Sequence, residues 1–230
     1  MTTADIRAAG EGLRERKKRL MRRQLADTAA RMFMDRGFDA VKVAEVAEAC
    51  GVSEKTVFNY FPTKEALVLD RLETMMSAVS SGLADPAVPP VQAMLRILDA
   101  EVAGFTESLD GHPDPAAQIN GFRRFGELIR TTPALRTYQS SVLDRIVAAA
   151  AQTLAQRLGM RAEDPEPQIA ATALLGLWRV QFASLSWHLD AGRTPAEIRQ
   201  TVAADVRRAA DLIDTGLAGL VAAPSVPAGR

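Results

Sequence analysis

The helix breakers of this chain fall in a few clusters, and that spacing restricts the fold more than any other feature. Gly37, Gly51, Pro62, the 80–90 stretch with its three prolines, 111–115, Thr132-Pro133, 159–167 and 192–195 punctuate longer runs rich in Ala, Leu, Arg and Glu. Those runs show little β-branched alternation, so each is predicted to be a helix and the fold to be all-α. The breakers leave about nine helices, near 14–36, 43–50, 53–59, 63–81, 90–109, 115–130, 133–158, 166–190 and 195–220. In the first, Leu25, Ala29, Met32 and Phe33 recur at helical spacing, with Gly37 as the stop. In the last, Ile198, Val202, Val206, Ala209, Ile213, Leu217 and Leu220 form one stripe that Ala203, Ala210 and Leu212 widen, enough to meet two neighbours.

Residues 1–13 and 221–230 lack periodicity and are expected to be frayed tails. With 230 residues and 47% hydrophobic side chains, the chain can build one large core or two smaller ones. A lone cysteine, Cys50, makes no intramolecular disulfide and suits a reduced, cytoplasmic setting; two histidines are too few for a histidine-based metal site. No cofactor is expected. The first twenty residues hold no apolar signal segment, and the longest apolar stretch, Ala170 to Trp178, is half a bilayer span, so no membrane partner is expected.

The formal charge is zero, which by itself argues against a nucleic-acid partner. The average conceals an asymmetry. Residues 1–72 carry 14 Lys and Arg against 11 Asp and Glu, a net +3, and the remainder is correspondingly −3. Seven of the cations, Arg14, Arg16, Lys17, Lys18, Arg19, Arg22 and Arg23, lie together with a single acid, Glu15. Such a run is usually a solvated helix end. Directly ahead of two short helices joined by a tight turn, a motif that the 43–60 segment carries, it reads instead as phosphate contact or a minor-groove arm, with Arg16 and Lys17 as its candidates.

That motif is VAEVAEACGVSEKTVFNY at 43–60. Val46, Cys50, Val52, Val57 and Tyr60 are spaced so that two short crossed helices bury them against each other and the first helix. Ala47 permits close approach, Gly51 occupies a turn needing positive φ, and Ser53 is placed to cap the second helix. A Gly-Val-Ser turn alone fits any short helical hairpin. The continuation Thr56-Val57-Phe58-Asn59-Tyr60-Phe61-Pro62-Thr63-Lys64-Glu65 makes the pattern specific, and from about Arg16 to Leu72 the chain resembles the amino-terminal domain of the TetR/AcrR family of bacterial transcriptional regulators. There are two departures. Lys42 stands where the family usually has a capping threonine, and Phe58 where it often has tyrosine.

In a helix-turn-helix the second helix enters the major groove, which makes Ser53, Glu54, Lys55, Thr56 and Asn59 the candidate base readers. Lys55 suits guanine, Asn59 adenine, Thr56 a thymine methyl or a phosphate, and Glu54 a cytosine amino group; a solvated helix face is the plain alternative. The resemblance puts Tyr60 and Lys64 at phosphates, leaves Lys42 a point-charge contact, and keeps Phe58 in the interface without a hydroxyl. It implies domains at 14–62 (helix-turn-helix), 63–84 (connecting helix) and 85–220 (ligand binding and dimerisation), the last following the proline-rich 85–90 boundary.

The resemblance further implies a homodimer paired through the last two helices, on a near-palindromic site with half-sites roughly 34–36 Å apart. It also implies a cavity for a hydrophobic effector. The apolar wall candidates are Phe105, Phe122, Phe125, Leu128, Trp178, Phe182, Leu185 and Trp187, with Arg123, Arg124, Arg130, Arg179, Gln181 and His188 as polar ones. Aromatic residues at helical spacing are more often plain core. The 176–192 stretch and the helix after it resemble a subgroup with an acyl-CoA-like ligand domain, and a drug or secondary metabolite fits nearly as well. The expected function is a ligand-released repressor. An all-α enzyme is disfavoured because no nucleophile and base pair, phosphate loop or metal constellation is present in the sequence, and a helical interaction protein without DNA binding is the remaining alternative.

Overall fold

The computed structural model describes residues 12–221, which contain ten helices and no strand. They are α1 (Leu13–Arg36), α2 (Val43–Ala49), α3 (Glu54–Tyr60), α4 (Lys64–Val68), α5 (Asp70–Ala84), α6 (Pro90–Asp110), α7 (Pro115–Thr131), α8 (Pro133–Leu158), α9 (Pro165–Asp190) and α10 (Pro195–Val221). The single helix expected over 63–81 is thus two, interrupted at Leu69. No glycine or proline marks that break. Leu69 is buried and leaves helical geometry at φ −103°, ψ 25°, while the Asp70 carboxylate beside it accepts from Arg22 Nε at 2.7 Å. The expected tails fall outside the described residues except for Gly12, Leu13 and Val221, of which the last two are helical.

Contacts divide the chain into two compact units. The first joins residues 12–70 to Arg124–Gln139, and the second joins Arg71–Arg123 to residues 140–221. The chain thus passes between the units at 70/71, 123/124 and 139/140, and the proline-rich stretch 85–90 lies inside the second unit. Pro90 opens α6 at its first turn, where a missing N–H costs no hydrogen bond, and Arg157 holds the approach to it through the carbonyls of Leu83 and Val88, both at 3.0 Å.

In the first unit α1 buries Leu25, Ala29 and Phe33, a stripe at successive i+4 positions, while Met32 is only half-buried. Gly37 ends it at φ +89°, its N–H donating to Phe33 O. The chain then turns Phe38 and Val41 inward, with the Phe33 and Phe38 rings 5.1 Å apart. Residues 124–139 add Leu128 and Leu135 to the buried set, and Arg124 Nη2 donates to Met34 O and Asp35 Oδ1 at the end of α1.

In the second unit α9 packs on α10 and α10 on α6. Ile198, Val202, Val206 and Ala210 form the buried stripe of α10; Ala209 and Ile213 are half-buried, Leu212 is exposed, and the side chains of Leu217 and Leu220 lie outside the described residues. α9 is longer than the expected half-span: by length and composition alone, with mean hydropathy 1.2, it is long and apolar enough to cross a membrane. Its apolar side chains serve the unit's core, with Ala170, Ala171, Leu174, Leu177 and Leu189 all buried.

Candidate nucleic-acid interface

The site is assembled from three short stretches of the first unit. Ala47, Cys50, Gly51 and Val52 close α2 with a paired-hydrogen-bond stop: Val52 N–H donates to Ala47 O at 3.0 Å and Gly51 N–H to Glu48 O at 3.0 Å. Gly51 sits at φ +68°. Ser53 Oγ then accepts from Thr56 N–H at 3.1 Å, capping α3, and Val57 anchors that helix with no exposed surface. A helix turns about 100° per residue, so with Val57 inward, Lys55 and Asn59 point outward and are exposed.

The amino-terminal end of α1 runs beside this helix. Leu13, Arg14, Glu15, Lys17, Lys18 and Met21 from α1 and Thr56, Asn59 and Tyr60 from α3 line one groove of about 880 Å³. Arg14, Lys17, Lys18 and Met21 follow the i, i+3, i+4, i+7 spacing of one helix face. Arg16, expected in the interface, is exposed but is not among the groove residues, whereas Arg14 and Lys18 are. The spacing that separates these cations is visible in the sequence; what the face meets is not.

Two other cations of the run have partners within the chain, Arg22 in a half-buried cluster and Arg23 at the surface. The Arg22 guanidinium stacks 4.6 Å over the Phe61 ring, donates to Tyr60 O at 2.8 Å and pairs with Asp70; Arg23 is 3.6 Å from Asp27, one turn on. Lys64, expected at a phosphate, points inward: its ammonium donates to Phe38 O and lies 4.4 Å from the centre of the Phe38 ring and 5.5 Å from that of Phe33. An ammonium has donors only, and here a carbonyl and two aromatic faces take it up.

Lys42 is exposed at the amino terminus of α2 and, having no acceptor atom, does not cap it. Glu45 supplies the reciprocal half of a capping box, accepting from Lys42 N–H at 2.8 Å. That bond, and then the Arg36 guanidinium 2.8 Å away, holds the Glu45 carboxyl below the usual carboxylate range. Ser53, Glu54 and Phe58 are exposed, and Thr56 and Tyr60 half-buried. The hydroxyls of Ser53 and Thr56 are also bonded to each other at 2.8 Å. Cys50, expected within the motif's core, is half-buried, with Sγ 4.0 Å from Gln24 O, because it follows the last helical residue of α2 as its carboxy-terminal cap.

The candidates for an effector wall separate. Phe105, Phe122, Phe182 and Trp178 of the second unit form a chain of rings with successive centroids 5.2, 5.5 and 6.1 Å apart, and Phe182 remains 41% exposed. Leu185 is buried and Trp187 is exposed, while Phe125 and Leu128 belong to the first unit. Of the polar candidates, Arg123 pairs with Asp190 and Leu189 O, Arg124 with Asp35, and Arg130 with Glu127. Arg179 is exposed and Gln181 donates to Glu101 at 3.2 Å. His188 is buried, its Nε2 3.4 Å from Asp205 Oδ2. Asp205 also accepts from Ser184 Oγ at 2.6 Å and pairs with Arg208, and the Ser184 bond is the main reason its carboxyl lies below its ordinary value.

Residues 25–70 match the family model for bacterial regulatory proteins of the tetR family, and residues 95–218 match that for the MftR C-terminal domain. The chain is 28% identical over 163 residues to the HTH-type transcriptional regulator EthR of Mycolicibacterium smegmatis, covering 69% of this chain and 72% of that one. It is 29% identical over 189 residues to the HTH-type transcriptional regulator TcmR of Streptomyces glaucescens, covering 79% of each. A solved structure of Thermus thermophilus FadR, a TetR-family repressor in complex with lauroyl-CoA, aligns over 91% of this chain and 99% of that one at 20% identity and a TM-score of 0.47.

Proposed function

The chain belongs to the TetR family of bacterial regulatory proteins, with a carboxy-terminal domain of the MftR type, and from that premise we propose that this DNA-binding transcriptional regulator is a homodimeric repressor released by a hydrophobic small molecule. The observation that carries the DNA-binding side is the groove between α1 and α3, where Arg14, Lys17 and Lys18 stand opposite Thr56, Asn59 and Tyr60. Cations on one wall hold a backbone phosphate, and the outward side chains Lys55 and Asn59 meet base edges, as contacts that position and contacts that specify must do together. Ser53, Glu54 and Thr56 complete the reading face, with Tyr60 as a phosphate ligand and Lys42 as a point charge at its edge.

The dimer pairs through α9 and α10. Ile169, Val180 and Trp187 of α9 and Leu212 of α10 are exposed apolar side chains, 63%, 36%, 62% and 79% accessible, and the first three lie along one face. The effector site includes the ring chain of Phe105, Phe122, Phe182 and Trp178, whose apolar surface suits an acyl chain or a comparable hydrophobe. The effector acts by binding one separation of the two recognition helices better than another, since only differential affinity shifts such an equilibrium.

The test is titration of the purified protein onto DNA selected from a random pool, with rising salt. A steep fall in affinity with salt and a palindromic selected site support the reading, and no binding at low salt refutes it. Trp187→Asp with Val180→Asp should yield a monomer by sedimentation and abolish tight binding. Mass spectrometry of ligand carried through purification identifies the effector class.

A further inference from the structure

The recognition helix presents one side chain that none of the polar roles above uses. Phe58 is 45% exposed, the sole large exposed hydrophobe of α3. One residue from inward-facing Val57, it occupies a flank of the helix, while Thr56 occupies the opposite flank toward the α1 groove. Lys55 and Asn59 lie between the two flanks. A helix entering the major groove with Lys55 and Asn59 foremost brings Phe58 against the groove wall. Carbon 5 of a pyrimidine is directed toward that wall, and thymine carries its methyl group there. The Phe58 ring has no polar atom, so it offers a base edge nothing but apolar contact, and of the four bases only thymine offers an apolar group in return.

Resting on the DNA-binding reading, we propose that Phe58 is a specificity-determining residue that reads the 5-methyl group of one thymine in each half-site. The contact discriminates thymine from cytosine and from uracil, bases that differ from it at carbon 5. Its size is that of one buried apolar carbon, about 0.8 kcal/mol or roughly fourfold in affinity per half-site.

The experiment uses the full-length protein and a duplex selected by it from random DNA, resynthesised with each thymine replaced in turn by deoxyuridine. Wild-type protein should lose about fourfold for one thymine position per half-site, and about fifteenfold when both symmetry mates are replaced. Phe58→Ala should bind the thymine and uracil duplexes equally, and Phe58→Leu, which keeps apolar surface, should retain part of the discrimination. Because Phe58 is exposed, both variants should melt as the wild type does. If no thymine position loses its deoxyuridine sensitivity in Phe58→Ala, the proposal is overturned, as it is by a selected site with no methyl-sensitive thymine. Failure to select any DNA overturns the DNA-binding reading itself, and a steep salt dependence without methyl dependence overturns only the role of Phe58.

Discussion

Replacing Lys64 by methionine separates two roles that the sequence alone leaves superimposed. Methionine retains the apolar stem over Phe33 and Phe38 and removes only the ammonium. In the structure that ammonium donates to Phe38 O and lies 4.4 Å from the Phe38 ring centre. A hydrogen bond from a charged group contributes about 1.5–3 kcal/mol, and an exposed cation–π contact about 0.5–1 kcal/mol. The residue is half-buried, so the lower end of each applies and about 2 kcal/mol should be lost. For a chain of this length that lowers the melting midpoint by about 4–8 °C. The assay is paired: thermal melting followed by circular dichroism, and DNA affinity by fluorescence anisotropy over a salt series. If Lys64 acts as an internal staple, the midpoint falls and the slope of log affinity against log salt is unchanged. If it holds a phosphate, the midpoint stays and the slope becomes shallower by about 2 for a dimer, at roughly 0.9 per phosphate. The second result would refute the structural assignment.

Lys17→Ala combined with Lys18→Ala should weaken binding to all DNA sequences alike, flattening the salt slope by about 4 for a dimer, whereas Arg16→Ala, off the groove, should change it less; anisotropy titrations at several salt concentrations decide. Gly51→Ala meets no neighbouring atom within 4 Å and should cost about 1–2 kcal/mol purely through its φ of +68°, with Gly51→Asn milder, read by denaturant melts. The Asp205 carboxyl, held below its ordinary value, stabilises the fold at neutral pH and loses that contribution as pH falls below about 4. Asp205→Asn should therefore be less stable than wild type at pH 7 and show a flatter acid limb, monitored by melting across pH.

The Asp205 cluster also illustrates what burial does to a histidine. An ionised carboxylate only accepts, so His188 Nε2 carries the donated proton and Nδ1 is left buried without a partner among the described residues. Neither Trp187 beside it nor the helix period reveals that pairing, because Ser184, His188 and Asp205 come together only when α9 lies on α10.

What was legible in the sequence is what depends on near neighbours along the chain. The all-α class follows from breaker spacing and helical periodicity, and the recognition motif from Gly51, Ser53 and Val57, each acting within a few residues through a positive φ, a cap or an inward-facing side chain. Tertiary structure decided matters in which distant residues compete for one group. Lys64 is drawn from solvent to Phe38 O, Arg22 leaves the basic run to hold Tyr60 O and Asp70, and the latter contact accompanies the break between α4 and α5 at Leu69. The basic run likewise counts seven charges in sequence, yet only the face opposite α3 lines the groove. Periodicity states which side chains share a face, but the partner that a face meets, and so whether a cation is left for DNA, is set by packing over separations of tens of residues.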